Sequence, residues 1–364
     1  PVQNAVIAGK KIYFWRKKMK KSKFKLFAAL LLAAAMTVLS LSGAAPVLAD
    51  ETAAILANAA KSPALHTAPE GYDQNDFNKV RTFLEQTDSN GIRNGEKLNP
   101  DGYDPDDPES WGALFVDEWG FEHEAYFDWE EVDGINRMFA INLTYIKDFA
   151  GTFDMSGLDA LSTLDVDGGN FTTADLSNCY EMTHCYFANS TLSSVNFFNC
   201  ANVTELYLQD NELTEVLNLG DCTSLLFLDI LMNSDLEEID LSGCERIIEH
   251  LDFSQTKVSD VNETEMFALC EFSCESSGIT ELDLRNCNYL NYVNCNFCDM
   301  DFLYLPELPN NLAVNCMETG LTELNYENCG GIYDLSISGN PGLTGKLNLA
   351  SNPYLMNVSA DNCG

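Results

Sequence analysis

The cysteines are the residues whose type and spacing most readily suggest chemistry. The chain has 13 of them among 364 residues, and residues 280 to 300, TELDLRNCNYLNYVNCNFCDM, contain three. Cysteines can form disulfides, bind soft metals such as zinc, or take part in redox reactions. The spacings Cys295-x-x-Cys298 and Cys270-x-x-x-Cys274 suit metal or redox chemistry. A buried free thiol, in contrast, behaves as a small apolar side chain.

A repeat of 21 or 22 residues explains where most of these cysteines stand. Six segments end on a cysteine in the same context: TTADLSNC, SSVNFFNC, TEVLNLGDC, EEIDLSGC, TELDLRNC and TELNYENC. Their cysteines are Cys179, Cys200, Cys222, Cys244, Cys287 and Cys329. Met266 and Leu308 fill the two intervening places, and neither can bridge. The column is therefore predicted to be an apolar slot that cysteine fills.

Each repeat also carries the pattern L-x-x-L-x-L-x-x-N-x-L, which is clearest from Val203 to Leu213. Its copies begin at Met138, Leu161, Met182, Val203, Leu225, Ile248, Leu269, Leu290, Asn311, Ile332 and Leu355. The pattern predicts ten full units and a truncated eleventh. A unit this short cannot bury its own apolar stripe, so the units must stack on one another to form a core.

Residues 137–364 resemble the bacterial leucine-rich repeat proteins with short repeats, the internalin-like kind. The resemblance rests on the period and on the cysteine that ends each L-x-L-x-x-C run. It implies an α/β-type repeat solenoid, a right-handed superhelix with a parallel β-sheet on its concave face. It also implies an N-terminal helical or irregular cap.

This stacking bears on the redox state of the cysteines. Equivalent residues in stacked strands lie about 4.8 Å apart with parallel side chains, whereas a disulfide needs converging Cβ atoms about 3.5–4.5 Å apart. Cys274, Cys295 and Cys316 form a second column at inward Leu positions of the motif. We therefore expect buried free thiols. A few disulfides, or a metal site at the closely spaced pairs, are the alternatives.

The N-terminal region has the pattern of a targeting segment. Residues 1–18 are interpreted as upstream translation before Met19, and residues 19–49 as a signal peptide cleaved near Ala49. Its apolar run, Leu26–Leu39, is short for a membrane span. An uncleaved anchor is the alternative. Residues 50–70, rich in alanine, are expected to form a linker in a secreted or cell-surface protein.

Charge narrows the range of partners. All 56 acidic residues but only 11 of the 20 Lys and Arg follow Ala49, which leaves a net charge of −45. Nucleic acids and anionic membrane surfaces bind proteins through neutralising cations, so neither is an expected partner. The composition suits a solvated extracellular protein.

Residues 71–136 are predicted to form the N-terminal cap, because the first repeat would otherwise expose apolar core. A helix is expected within Asp73–Gln86, with Asp73 or Asn75 as its N-cap. Three tryptophans follow: Trp111, Trp119 and Trp129. An acidic loop is expected to be solvated, with a calcium site as the alternative, although it lacks the EF-hand ligand order. Its acidic residues are Asp101, Asp104, Asp106, Asp107 and Glu109.

The concave face is the predicted binding surface. The residues flanking the inward leucines point outward, and this places Tyr186, Tyr207 and Phe227 in neighbouring strands. Two carboxylates, Asp229 and Asp252, extend this patch. Tyr292, further along the array, completes the predicted ligand-binding set. Exposed aromatics beside acids suit a basic peptide or a sugar; alternatively, the aromatic ladder only stabilises the sheet.

No catalytic motif is present: the sequence has no G-x-S-x-G, no H-E-x-x-H and no phosphate-binding loop. Together with the resemblance to internalin-like proteins and the geometry of the concave face, this leads us to predict a secreted or surface-exposed bacterial recognition or adhesion protein that is not an enzyme and has no cofactor. Its ligand would be a protein or glycan on host or neighbouring cells. Two alternatives stay open: a spacer that binds nothing, and the N-terminal part of a surface enzyme whose catalytic domain lies beyond residue 364.

Overall fold

The computed structural model describes residues 66–116, 122–144, 148–307, 311–325, 329–344 and 348–364. The predicted signal peptide, Trp119 and Leu308 lie outside these ranges. Within them, no helix is both long and apolar enough to span a bilayer.

The N-terminal segment begins with helices and continues as a hairpin. Helix α1 is Gln74–Leu84 and helix α2 is Asn94–Leu98, followed by a 3-10 turn at Pro108–Ser110. Asp73 is the N-cap of α1, and its carboxylate accepts hydrogen bonds from the backbone N–H groups of Asn75 and Asp76. The expected helix and the first of its two candidate caps are therefore confirmed.

The hairpin joins this segment to the repeats. Strands β1 (Ala113–Val116), β2 (Glu122–Val132) and β3 (Ile135–Asn142) pair antiparallel in that order. Asp133 and Gly134 make the turn between β2 and β3 with φ of 53° and 82°, as a two-residue type I′ turn requires. The sequence analysis did not predict these strands. β3 then pairs in parallel with the first strand of the next repeat.

A single sheet of thirteen strands, the long sheet, runs through the described chain. After β1, β2 and β3 it contains β5 (Thr163–Asp167), β7 (His184–Ala188), β9 (Glu205–Tyr207), β11 (Phe227–Asp229), β13 (His250–Asp252), β14 (Glu271–Ser273), β16 (Tyr292–Asn294), β18 (Leu312–Asn315), β20 (Ile332–Ser336) and β21 (Asn357–Ser359). From β3 onward every pairing is parallel. The predicted leucine-rich repeat solenoid is thus confirmed.

The opposite side of the solenoid, the second side, contains short strands and turns. Three small parallel sheets form there: β4 (Phe153–Asp154), β6 (Thr173–Asp175) and β8 (Ser194–Asn196); β10 (Thr214–Asn218) and β12 (Asp235–Asp240); and β15 (Glu281–Asp283), β17 (Phe302–Tyr304) and β19 (Glu323–Asn325). The only helical turns described among the repeats are 3-10, at Glu263–Glu265 and Leu349–Ser351. Within the described ranges the repeats contain little helix.

The core is built from columns of identical repeat positions. Strand register places Leu164, Cys185, Leu206, Leu228 and Leu251 next to one another, and all five side chains are fully buried. Each repeat therefore covers the apolar face of the one before it. Burying a leucine-sized side chain stabilises the fold by about 1.5–3 kcal/mol.

A mostly polar column closes the turns after the long-sheet strands from β7 onward. Asn233 is fully buried, and its Nδ2 donates to the carbonyls of Leu208 and Ile230 at 3.0 and 2.8 Å. Its Oδ1 accepts from the N–H of Leu213 at 3.2 Å. The same motif position is occupied by Ser190, Asn211, Thr256, Ser277, Cys298, Thr319, Asn340 and Cys363. This column satisfies backbone groups that the turn would otherwise leave unpaired in the core.

Candidate recognition face

The outward side chains of the long sheet form two rows, set by strand register. The first row runs Thr163, His184, Glu205, Phe227, His250, Glu271 and Tyr292. The second row runs Asp165, Tyr186, Tyr207, Asp229, Asp252, Ser273 and Asn294. Between the two rows, the alternate residue of each strand points into the core and is fully buried, or nearly so.

Four rings stack across neighbouring strands of these rows. The centroids of Tyr186 and Tyr207 are 5.9 Å apart, and those of Tyr207 and Phe227 are 4.8 Å apart. The imidazole of His250 lies parallel to the Phe227 ring, with centroids 4.0 Å apart and planes 3° apart. We call these four residues the aromatic shelf. Aromatic pairs at such distances stabilise each other by about 0.5–1.5 kcal/mol beyond area burial.

The rings do not form the single line that their order in the sequence suggests. Tyr186 and Tyr207 stand in the second row, but Phe227 stands in the first, directly opposite Glu205. The residue opposite Tyr207 on the next strand is Asp229. Phe227 reaches Tyr207 diagonally, because diagonal neighbours on a sheet are within reach of large side chains.

Carboxylates follow the shelf in the second row. Burial raises the pKa of the Asp229 carboxyl above its usual range, and the neighbouring Asp252 adds to the rise. Burial also raises the pKa of Asp165, at the other end of the shelf. Desolvation destabilises the charged form of each group. A cation placed beside them would relieve that cost.

The phenol of Tyr207 responds to the same surroundings. Burial raises its pKa, and the negative charges of Glu205 and Asp229 raise it further. The hydroxyl therefore stays protonated and able to donate a hydrogen bond at neutral pH.

Two histidine–glutamate pairs border the shelf. His184 Nε2 lies 3.2 Å from Glu205 Oε1, and His250 Nδ1 lies 3.0 Å from Glu271 Oε2. Neither histidine belongs to the predicted ligand-binding set. The stacking of His250 on Phe227 carried no signal in the sequence, because it depends on side-chain rotamers.

Lysine and arginine are absent from this part of the face. Between residues 148 and 307 the sequence has three, Arg246, Lys257 and Arg285. Arg246 pairs with Glu265, while Lys257 pairs with Asp235 and Arg285 with Asp283, both residues of second-side strands. Within the described part of the chain, no Lys or Arg pairs with a carboxylate of the second row.

The structure places five of the six predicted binding residues together. Tyr186, Tyr207, Phe227, Asp229 and Asp252 lie on four adjacent strands, β7, β9, β11 and β13. Their role in binding remains a prediction.

Tyr292, the sixth predicted residue, is separate from this group. It stands in the first row on β16, with β14 between its strand and β13. Among the described ring contacts, none joins it to the shelf.

All 13 cysteines are in the described ranges, and each is a free thiol. Members of the first column donate weakly to carbonyls of the preceding turn: Cys200 Sγ lies 3.1 Å from the Leu176 oxygen. Met266 is fully buried at the same column position. Burial raises the pKa of Cys200 to about 11 and that of Cys244 to about 12. Such thiols are poor nucleophiles at neutral pH.

The closely spaced cysteines occupy ordinary repeat positions. Cys295 points into the core, while Cys298 takes the Asn position and donates to the Cys274 carbonyl at 3.0 Å. The sulfurs of Cys274 and Cys298 are 4.0 Å apart. Hydrogen bonding from Cys274 lowers the pKa of Cys298 to about 7. No group of three or more potential metal ligands converges in the described residues.

The acidic loop of the N-terminal segment uses its side chains locally. Asp104 accepts a hydrogen bond from the N–H of Asp106, and Asp107 accepts one from the N–H of Glu109. Asp106 also lies 3.4 Å from the guanidinium of Arg81. These contacts fit the solvated loop that was expected there.

No protein-family model and no curated protein matches the sequence. Solved structures with a similar course include the functional domain of InlJ from Listeria monocytogenes, described as including a cysteine ladder (17% identity, TM-score 0.40, covering 62% of this chain and 63% of that one). A second is the internalin InlF of the same species (17% identity, TM-score 0.37, covering 61% of this chain and 66% of that one). A third is the leucine-rich repeat ectodomain of the Arabidopsis thaliana receptor kinase GASSHO1/SCHENGEN3 (17% identity, TM-score 0.44, covering 65% of this chain and 37% of that one). The chain spans less than two thirds of each. The likeness concerns the fold alone.

Proposed function

We propose that this leucine-rich repeat protein is a secreted or surface-exposed bacterial recognition protein. Its ligand is a protein or glycan on another cell, bound by the outer face of the long sheet around the aromatic shelf. The predicted signal peptide and the acidic composition support an extracellular setting. A row of repeats provides a long, rigid surface suited to binding.

One observation carries this proposal: the shelf presents partly exposed rings next to carboxylates that have no lysine or arginine partner in the described chain. Rings on a sheet surface stabilise it through cross-strand contacts, and that alone would explain Tyr186 and Tyr207. It does not explain the neighbouring Asp229: the Leu231 N–H donates to this carboxylate, but burial still raises its pKa, and a half-buried charge is costly. A surface with this cost is expected where a ligand offsets it.

The test compares binding of the fluorescently labelled chain to animal cells, bacterial cells and glycan arrays. The triple variant Tyr186→Ala, Tyr207→Ala, Phe227→Ala is expected to lose at least tenfold in affinity for whichever target the wild-type chain binds. Circular dichroism and urea unfolding establish that the variant is folded. Unchanged binding by a folded triple variant would sink the proposal.

A matched control removes exposed aromatics outside the long sheet. Tyr180, Phe198 and Tyr289 are all exposed, and their joint replacement by alanine should leave binding within twofold of the wild-type value. Absence of binding by the wild-type chain to every target would favour the spacer hypothesis.

A further inference from the structure

We propose that the partner bound at the aromatic shelf is a basic protein, which inserts an arginine or lysine side chain between the rings and the carboxylates of the second row. This inference rests on the proposed function and names the chemistry of its ligand. It selects one of the two ligand classes, protein and glycan, that the fold alone leaves open.

The rings provide one half of the site. Tyr207 and Phe227 are tilted by 35° to each other, with centroids 4.8 Å apart. The His250 imidazole already lies on one face of Phe227, so Tyr207, the ring beside Asp229, is the one that a cation would contact. Cations bind over such ring faces with about 0.5–1 kcal/mol at exposed sites and more when desolvated. Two cation–π contacts of the described residues lie elsewhere, with Arg93 over Tyr103 and Arg285 over Tyr304. No Lys or Arg of the described chain lies over the Tyr207 or Phe227 ring.

The carboxylates provide the other half. Asp229 stands beside Tyr207 in strand register, and Asp252 is the next residue of the same row. Each of them uses one oxygen to accept a backbone hydrogen bond, from Leu231 and Ser254 respectively. A guanidinium lying on the rings could thus pair with the remaining carboxylate oxygens.

Charge complementarity favours a cationic protein over a neutral glycan. The pKa of Asp229 is raised by burial and by Asp252; a bound cation offsets both effects through its charge, whereas a neutral sugar offers only hydrogen bonds. The chain has 56 acidic against 20 basic residues, so its field also attracts basic surfaces and speeds their association.

The probes are two short peptides, acetyl-Gly-Arg-Gly-amide and its citrulline analogue, which has the same shape without the charge. Each is titrated into the full chain labelled with ¹³C-tyrosine. The chain has 14 tyrosines, and the Tyr207 signal is assigned with Tyr207→Phe. We expect the arginine peptide to shift the Tyr207 signal with about tenfold higher affinity than the citrulline peptide.

Charge-removing variants locate the site. The double change Asp229→Asn, Asp252→Asn keeps an oxygen for the backbone N–H groups of Leu231 and Ser254, and should weaken the arginine peptide about tenfold. The control is Asp175→Asn, Asp240→Asn. These second-side residues accept equivalent backbone hydrogen bonds from Ser177 and Ser242, and their replacement should leave the affinity unchanged.

Three results would overturn the inference: equal affinity for both peptides, no effect of the Asp229 and Asp252 changes, or no shift of the Tyr207 signal up to the solubility limit of the arginine peptide. A shift produced by neutral oligosaccharides but not by arginine would also overturn it and point to a glycan. Each of these leaves the proposed function standing if cell binding still depends on the shelf rings. Loss of that dependence would overturn the proposed function itself.

Discussion

Replacing Asn233 by alanine tests whether the polar column holds successive repeats together. The Asn233 amide is fully buried and makes three hydrogen bonds to the backbone, two as donor and one as acceptor. Alanine removes all three. The Leu208 carbonyl keeps a second donor, the Nδ2 of Asn211 at 2.9 Å. The Ile230 carbonyl and the Leu213 N–H lose the partner that Asn233 provides.

The expected loss of stability follows from the Ile230 carbonyl and the Leu213 N–H. A buried donor or acceptor left without a partner costs about 1–3 kcal/mol, so Asn233→Ala should lower the free energy of unfolding by about 2–5 kcal/mol. Urea unfolding followed by circular dichroism, under reducing conditions, measures it. The midpoint should fall while the slope with urea stays constant, since the exposed area on unfolding is nearly unchanged.

Two further variants make the measurement specific. Asn233→Ser should lose less than the alanine variant, because a hydroxyl here can still donate to one carbonyl, as Ser190 does at the equivalent position with the Gly168 and Ala188 oxygens in reach. Asn202→Ala removes an exposed side chain that donates to the Tyr180 carbonyl and should stay within about 0.5 kcal/mol of the wild type. A loss below about 0.5 kcal/mol for Asn233→Ala would refute the reasoning.

Three other predictions follow from the structure. Burial raises the pKa of Cys200 to about 11 and that of Cys244 to about 12 in the folded state. The stability that each protonated thiol contributes is complete below the unfolded thiol pKa of about 9 and is lost as pH rises above it. At pH 10 each thiol should lower the free energy of unfolding by about 1 kcal/mol. Anaerobic urea unfolding at pH 8 and pH 10 measures this, and an equal pH-dependent loss in Cys200→Ala would contradict it. Phe297 is half exposed, and its φ of 59° lies in the left-handed region, which strains a bulky residue but which asparagine tolerates. Phe297→Asn should therefore stabilise the chain by about 0.5–1 kcal/mol. A lower urea midpoint for this variant would contradict the strain. Asp76 is buried against Arg137, with Oδ2 and Nε 2.8 Å apart. Asp76→Ala should cost about 3 kcal/mol, and Asp76→Asn less, because Asn keeps an oxygen for the Met138 N–H. An Asp76→Asn variant as stable as the wild type would show that the charge pairing is irrelevant.

The repeat architecture could be predicted from the sequence because each inward position recurs with the period of the solenoid. Leu206 and Leu228 are neighbours in strand register because they hold the same place in successive units. The Asp133-Gly134 hairpin was missed although a D-G pair is a known turn signal. This turn precedes the regular repeats, so the repeat period gives no signal for it.

The site was only partly predictable, for a physical reason. Strand periodicity decides that Tyr207, Phe227 and His250 point outward. The motif position of each residue fixes its row, but the mutual contacts depend on rotamers, which the spacing does not encode. The carboxylate pairings on the second side, such as Asp235 with Lys257, likewise depend on the register between turns.

The most direct test of the account is a count of free thiols in the intact protein. The strand register that points the core side chains inward also points the recognition face outward. The same register places neighbouring thiols of the cysteine columns where they do not bridge. The chain is denatured anaerobically in an alkylating agent without reduction, and its intact mass is measured. The account predicts adducts on all 13 cysteines. A lower count that rises to 13 after reduction would show disulfides, and would contradict both the column register and the recognition face derived from it.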